Sequence, residues 1–225
     1  MKLLADYRDD LVRQRTRICS QLRWPLHELD PELEIASRGL RRRCVQDRLS
    51  QHLAGMLGIV AHLARELLER CRQLTVRTNQ LESQLRKLVQ TLAPQLLAIP
   101  GCGVLGAATI IGETAGVHRF RSKAAFARFT GTAPIPVWSG NSSRVRLNRG
   151  GNRRLNSALH MIAVTQTRGV GPGKAYVERL MAEGKTRTEA VRLLRRRISD
   201  VVYRALRRTD TTASQTNDHK MAMAA

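Results

Sequence analysis

Aromatic side chains are scarce in this chain, Phe, Trp and Tyr together making up 4% of 225 residues. That excludes a core of large rings and leaves Leu, Val, Ile and Ala as the packing material of a mainly α-helical protein. Acid is scarce as well: eighteen Asp plus Glu face thirty-nine Lys plus Arg, a formal charge of +21. A chain so unbalanced repels itself, and a compact fold tolerates this best beside a polyanion. Most of the excess is arginine, whose planar fork suits phosphate, so nucleic acid is the expected partner ahead of acidic lipid. No apolar run reaches membrane-spanning length, and charge enters at Lys2, Asp6 and Arg8, too early for a secretory signal. A cytoplasmic protein with no membrane partner is expected. Cys19, Cys44, Cys71 and Cys102 form no Cys-x-x-Cys pair and have no closely spaced His, which speaks against a zinc site or a disulfide framework. They read as small buried hydrophobes, and no residue is assigned as a metal ligand.

Heptad spacing dominates the first part of the chain. Leu4, Leu11 and Ile18 recur at intervals of seven in a glycine-free stretch from Leu3 to Leu29, with Pro25 near its end. After the Asp30-Pro31 break, the polar stretch from Glu32 to Cys44 reads as a connector. A second helix is expected from Val45 to Leu92, with Leu53, Val60, Leu67, Leu74, Leu81 and Leu88 on one seam, and Gly55 and Gly58 weakening its first turns. Its partner is either the first helix folding back or another copy of the chain. These features define a helical coiled-coil linker over 1–93.

Glycine and proline become frequent after Pro94, marking a compact second domain over 94–208. Short helices are expected from Gly103 to Thr114, Ser122 to Phe129 and Asn152 to Arg168, with Ser122 and Asn152 as caps. Two amphipathic helices follow, from Lys174 to Glu183 and from Thr188 to Leu206. Between Ile135 and Leu147 the pattern fits a short β-hairpin turning at Ser139-Gly-Asn-Ser142. Residues 209–225 show no periodicity and read as a disordered tail.

Three groups of residues in the second domain can carry chemistry. Leu96, Ile99, Gly101, Gly103, Ala107, Ile110 and Ile111 follow a helix-hairpin-helix pattern, in which Gly101 and Gly103 let a phosphate oxygen approach backbone N–H groups; the alternative is an ordinary tight turn. Ser139, flanked by Gly140, has the access a nucleophile needs, although a serine hydroxyl requires a base, a metal or a positive field to attack phosphorus, and turn serines are usually structural. Ser142 and Ser143 compete on the same terms. Arg144, Arg146, Arg149, Arg153 and Arg154, with Asn152, crowd the next positions as candidate DNA-binding residues that would hold phosphate oxygens, or else form a solvated basic face. A later series, Arg187, Arg192, Arg195, Arg196, Arg197, Arg204, Arg207 and Arg208, is expected on the outer face of a helix buried through Val191, Leu194, Ile198, Val202 and Leu206.

On these residues the chain resembles the transposases of the IS110/IS116/IS902 insertion-sequence family. The likeness runs from Tyr7-Arg-Asp-Asp-Leu-Val-Arg-Gln-Arg-Thr16 through Leu96-Leu-Ala-Ile-Pro-Gly-Cys-Gly103, Phe126-Ala-Arg-Phe-Thr-Gly131, Pro136-Val-Trp-Ser-Gly140 and Arg149-Gly-Gly-Asn-Arg-Arg-Leu155 to Ala175-Tyr-Val-Glu-Arg-Leu180. It implies an N-terminal RuvC-like nuclease domain with four Mg²⁺-binding carboxylates, joined by a coiled coil to a domain that supplies a catalytic serine, here Ser139. It also implies serine-phosphate chemistry on DNA, homo-oligomers formed through the coiled coil, a structured guide RNA in some members, and a bacterial, nucleoid-associated setting. Met1 falls where the family's linker begins, and Asp6, Asp9, Asp10, Glu66, Glu69 and Glu82 fall on expected helices. The expectation is therefore a C-terminal part without the RuvC-like domain, which binds no cofactor itself, needs that domain for Mg²⁺, and binds DNA without recombining it alone. Two rival readings are a DNA-binding relic or regulator that oligomerises with a full-length transposase, and a purely structural coiled-coil scaffold.

Overall fold

The computed structural model describes the chain apart from positions 37, 141, 147, 149, 224 and 225, and describes the backbone alone at 139, 142–145 and 209–223. The fold is mainly α-helical and divides into two compact units, Leu3–Gln84 and Leu85–Ala225, the second also holding Met1 and Lys2.

The first unit is an antiparallel helical assembly. Helix α1 (Lys2–Leu29) returns through a 3-10 turn (Gly39–Arg41) and α2 (Arg43–Ala54) to the long α3 (Ile59–Leu92). Ile18, Cys19, Leu22 and Leu26 of α1 pack with Leu40, with Leu49 and Leu53 of α2, and with Ala64, Leu68 and Cys71 of α3. The antiparallel pairing is pinned by Arg8 beside Glu82 at 3.5 Å and by the Cys19 and Cys71 sulfurs at 3.4 Å. Between these elements Gln46 is buried, its Nε2 donating to the Leu40 carbonyl at 2.8 Å and the Thr75 hydroxyl at 3.2 Å. Over this stretch the partner of α3 is therefore the first helix of the same chain.

The single helix expected from Val45 to Leu92 is broken. Gly58 adopts φ +100°, and α2 and α3 separate there. Arg65 reaches back across the break and donates to the carbonyls of Leu53 at 2.9 Å and Met56 at 2.8 Å, the former also accepting the Met56 N–H at 3.3 Å where α2 ends. Between Ala61 and Thr78 the buried stripe of α3 is also shifted by one position from the leucine seam, which Leu81 rejoins as a buried residue. Ala61, Ala64, Leu68, Cys71, Thr75 and Thr78 are buried, whereas Val60, Leu67 and Leu74 flank them and Leu63 is exposed. Small side chains admit a close neighbouring helix, so Ala, Cys and Thr share the centre with Leu68 while Leu67 and Leu74 close its edges. Cys44, expected inside, is exposed.

In the second unit α4 (Pro94–Leu97), α5 (Val104–Thr114), α6 (Lys123–Phe129), α7 (Arg153–Thr167), α8 (Gly173–Ala182) and α9 (Arg187–Met223) surround a core of Leu96, Ile110, Phe126, Leu155, Leu159 and Ile162. All three Phe of the chain gather in one cluster with Tyr203, ring centroids 5.0–5.7 Å apart, and Arg119 lies over two of the rings. Ser122 caps α6 by accepting from the Ala125 N–H at 3.2 Å. The backbone of α9 continues helical through the segment that composition reads as a tail. Strands β1 (Ile135–Ser139) and β2 (Ser142–Arg146) form an antiparallel ribbon in the region where the pattern fits a hairpin. No helix of the described residues is long and apolar enough to cross a membrane.

Leu22 is fully buried and Trp24, two positions on, is 78% exposed. Leu22→Ala is expected to lower stability by about 2–5 kcal/mol, and Trp24→Ala by no more than about 0.5 kcal/mol. Urea unfolding followed by circular dichroism reads both.

Candidate nucleic-acid interface

Two glycine-bearing loops meet at the foot of α7. Gly151 has φ +107°, and a Cβ there would lie 2.7 Å from both the Gly131 nitrogen and the Phe129 carbonyl oxygen; at Gly131, with φ +68°, a Cβ would lie 3.0 Å from the Gly150 oxygen and 3.1 Å from Asn156 Nδ2. Only bare backbone fits both positions. The approach lets the Asn152 N–H donate to the Phe129 carbonyl at 2.7 Å, and Asn156 Nδ2 donate to the carbonyls of Thr130 at 3.1 Å and Gly131 at 2.9 Å. Arg195 Nη1 in turn donates to Asn156 Oδ1 at 3.0 Å. Arg195 is 8% exposed, so it belongs to the interior of the unit and not to the outer arginine face on which the sequence pattern set it.

Asn152 is the N-cap of α7, its Oδ1 accepting from the N–H groups of Arg154 and Leu155 at 3.0 Å each. Its Nδ2 donates to Glu113 Oε2 at 2.6 Å, and Arg154 Nη1 pairs with Glu113 Oε1 at 3.1 Å. Lys2 pairs with the same carboxylate, admitted by Gly112, where a Cβ would come within 3.0 Å of the Lys2 Cα. Burial pushes the Glu113 carboxyl upward, but the hydrogen bonds from Lys2 and Asn152 and the charges of Lys2 and Arg154 outweigh it and hold the group below its ordinary range. Sequence reasoning missed Glu113 and Asn156 and set Arg195 on the outside of its helix. Glu113 had a signal, being the only acid between Glu82 and Glu178 in a segment rich in arginine.

The remaining candidates fall at distinct places. Gly101, at φ +82°, backs onto α7, where a Cβ would meet the Thr165 side chain at 3.0 Å and the Ile162 carbonyl at 3.1 Å. Gly103 caps α5 on an open side, with nothing within 4 Å of a Cβ. Arg153 is exposed on the first turn of α7, and Arg146 is exposed at the end of β2. Ser139 and Arg144 are described in backbone only, and Arg149 lies outside the described residues. The ribbon pairs Ser139 with Ser142, Val137 with Arg144 and Ile135 with Arg146, so positions 135, 137, 139, 142, 144 and 146 share one face. Trp138, on the opposite register, is 70% exposed.

Among the described residues no group of three or more His, Cys, Asp or Glu comes together, and Glu113 is already surrounded by a lysine, an arginine and an amide donor.

The model of the Transposase IS116/IS110/IS902 family matches residues 93–178, the stretch that holds α5, the ribbon and the capped start of α7. This segment belongs to that transposase family. Insertion-element proteins resemble the chain over longer stretches. The insertion element IS110 43.6 kDa protein of Streptomyces coelicolor is 36% identical over 131 residues, covering 56% of this chain and 32% of that protein. The insertion element IS900 42 kDa protein of Mycobacterium paratuberculosis is 31% identical, covering 66% and 37%. The insertion element IS116 44.8 kDa protein of Streptomyces clavuligerus is 28% identical, covering 92% and 63%. The chain thus spans between about a third and somewhat under two thirds of the length of these curated relatives.

A depressed carboxylate stabilises the fold fully above its ordinary value of 4.5, and that contribution is lost as pH falls through the lower folded-state value. Glu113→Gln is expected to be less stable than the parent at neutral pH, with the gap closing as pH drops below 4.5. Urea midpoints of both proteins across the acid range measure it.

Proposed function

We propose that this transposase-family unit binds DNA through its sugar-phosphate backbone and contributes Ser139 as the nucleophile of phosphodiester cleavage and strand transfer. The observation that carries the reading is the ribbon register, which sets position 139 on the same face as Arg144 and Arg146. The exposed Arg153 on the capped first turn of α7 and the open N-terminus of α5 at Gly103 add support as phosphate contacts. In such a step the Ser139 hydroxyl oxygen forms a bond to phosphorus as the bond to the departing strand breaks, and the serine proton ends on the expelled oxygen. Guanidiniums around the phosphate spread the charge of the transition state. Gly101 serves the clamp indirectly, by seating its turn against α7.

The neighbouring reading is a DNA binder that performs no chemistry and acts by associating with a longer relative. It draws on the Arg154–Glu113 pair, which engages one of the candidate phosphate holders inside the protein. Assembly of several copies and a structured guide RNA remain part of the transposase reading, and light scattering with and without RNA addresses them.

Purified chain is expected to bind duplex DNA with an affinity that falls steeply with salt. With Mg²⁺ and DNA carrying the ends of the element, the chain alone is expected to form no covalent adduct, and mixed with the RuvC-like half of a family member it is expected to yield a covalent serine–DNA adduct whose mass maps to Ser139. Ser139→Ala is expected to abolish the adduct and leave binding within about twofold. Binding without any adduct even in that mixture selects the non-catalytic reading; absence of salt-sensitive binding removes both.

A further inference from the structure

A cavity of about 420 Å³ between α7 and α9 has no part in the reading above. Its lining includes His160, Thr167, Arg168, Arg187, Arg192 and Arg195, and none of its lining residues is acidic. Arg168 caps the end of α7 and Arg187 opens α9, both exposed, while Arg195 lies at the buried back of the cavity. One side of the Arg195 guanidinium is held by Asn156 at 3.0 Å, and its Nε–H is buried with no acceptor among the described residues. A buried, charged donor left unpaired is costly, and the charge around it raises that cost further. Desolvation, with Arg192 and Arg153 nearby, lowers the pKa of Arg195, and burial together with Arg195 lowers that of His160. The protein has therefore assembled guanidiniums and two hydroxyl-bearing threonines, Thr167 and Thr188, around a space that its own acids do not enter.

Such a space is relieved by a compact anion with several acceptor oxygens directed at diverging donors. A phosphodiester meets that need, since its two non-bridging oxygens diverge tetrahedrally from phosphorus, one toward Arg195 at the back and the other toward Arg168 and Arg187 at the mouth. We infer that the cavity between α7 and α9 seats one phosphate group of a polynucleotide backbone, as a second anchor apart from the ribbon and the start of α7. The polynucleotide source rests on the function proposed above; the anion seat stands on the cavity alone.

Two probes separate these parts. Inorganic pyrophosphate, titrated into the full chain at constant ionic strength, is expected to shift the Arg195 Nε–Hε resonance saturably. In Arg168→Ser/Arg187→Ser, whose changes lie at exposed positions, the pyrophosphate affinity is expected to fall at least about tenfold. For duplex DNA and single-stranded RNA, the slope of log affinity against log salt is expected to drop by about one to two in the double variant, and whichever polymer loses slope is the source. No saturable shift in the parent, or the same response in the variant, overturns the seat. Polymer binding with an unchanged slope overturns the polynucleotide assignment and leaves the proposed function standing. A pyrophosphate response without polymer binding overturns that function and the polynucleotide source together, and leaves an anion seat alone. Should the double variant lose its helical circular dichroism, Arg187→Ser alone carries the comparison.

Discussion

The C-terminal unit depends on a place where two backbones touch without side chains between them. At Gly131 and Gly151 the loops leaving α6 and entering α7 come close enough for the Asn152 N–H to reach the Phe129 carbonyl, and a methyl group at either position would push them apart. From that contact follow the capping of α7 by Asn152, the direction of Arg153 and Arg154, and the buried chain of hydrogen bonds from Thr130 and Gly131 through Asn156 to Arg195. The Arg149-Gly-Gly-Asn-Arg-Arg154 motif is thus first a folding device. Its glycines bring the loop in, its asparagine starts the helix, and only then are Arg153 and Arg154 aimed.

Charge in this unit is handled by rationing acid. Glu113 is the single carboxylate over a long basic stretch, and it gathers Lys2, Asn152 and Arg154 around itself. Arg196 is neutralised by Asp200 one helical turn away, and Arg197 lies over the Tyr176 ring at 4.4 Å. Arginines treated in this way are structural. Those exposed at the ribbon end, on the first turn of α7 and at the mouth of the α7–α9 cavity, Arg146, Arg153, Arg168 and Arg187, give the unit its electropositive character.

Much of the helical plan was legible because it rests on local rules. Ser122 and Asn152 announce their helices by preceding them with an acceptor side chain, and the ribbon follows from a glycine turn between alternating strands. The seam of α3 was harder to read, since leucine spacing is a loud signal and the centre is filled by Ala61, Ala64, Cys71, Thr75 and Thr78, which carry little hydropathy. The break at Gly58 depends on a left-handed residue and on Arg65 arriving from the next helix, which no window of local sequence contains. Arg195 was misread for a related reason: the helical wheel puts a guanidinium outside by default, and only the distant Asn156 turns it inward. The site residues were legible as a list of types, while their division into caps, packing glycines and solvent-facing cations required the tertiary contacts.

Lys2 gives the chain an unusual connectivity. Because it and Met1 belong with the last part of the sequence, residues Leu3–Gln84 form an excursion whose two ends are both fastened in the same unit. Closing such an excursion carries an entropy penalty that grows only by about 0.6 kcal/mol per doubling of its length, so a long arm is hardly harder to fasten than a short one.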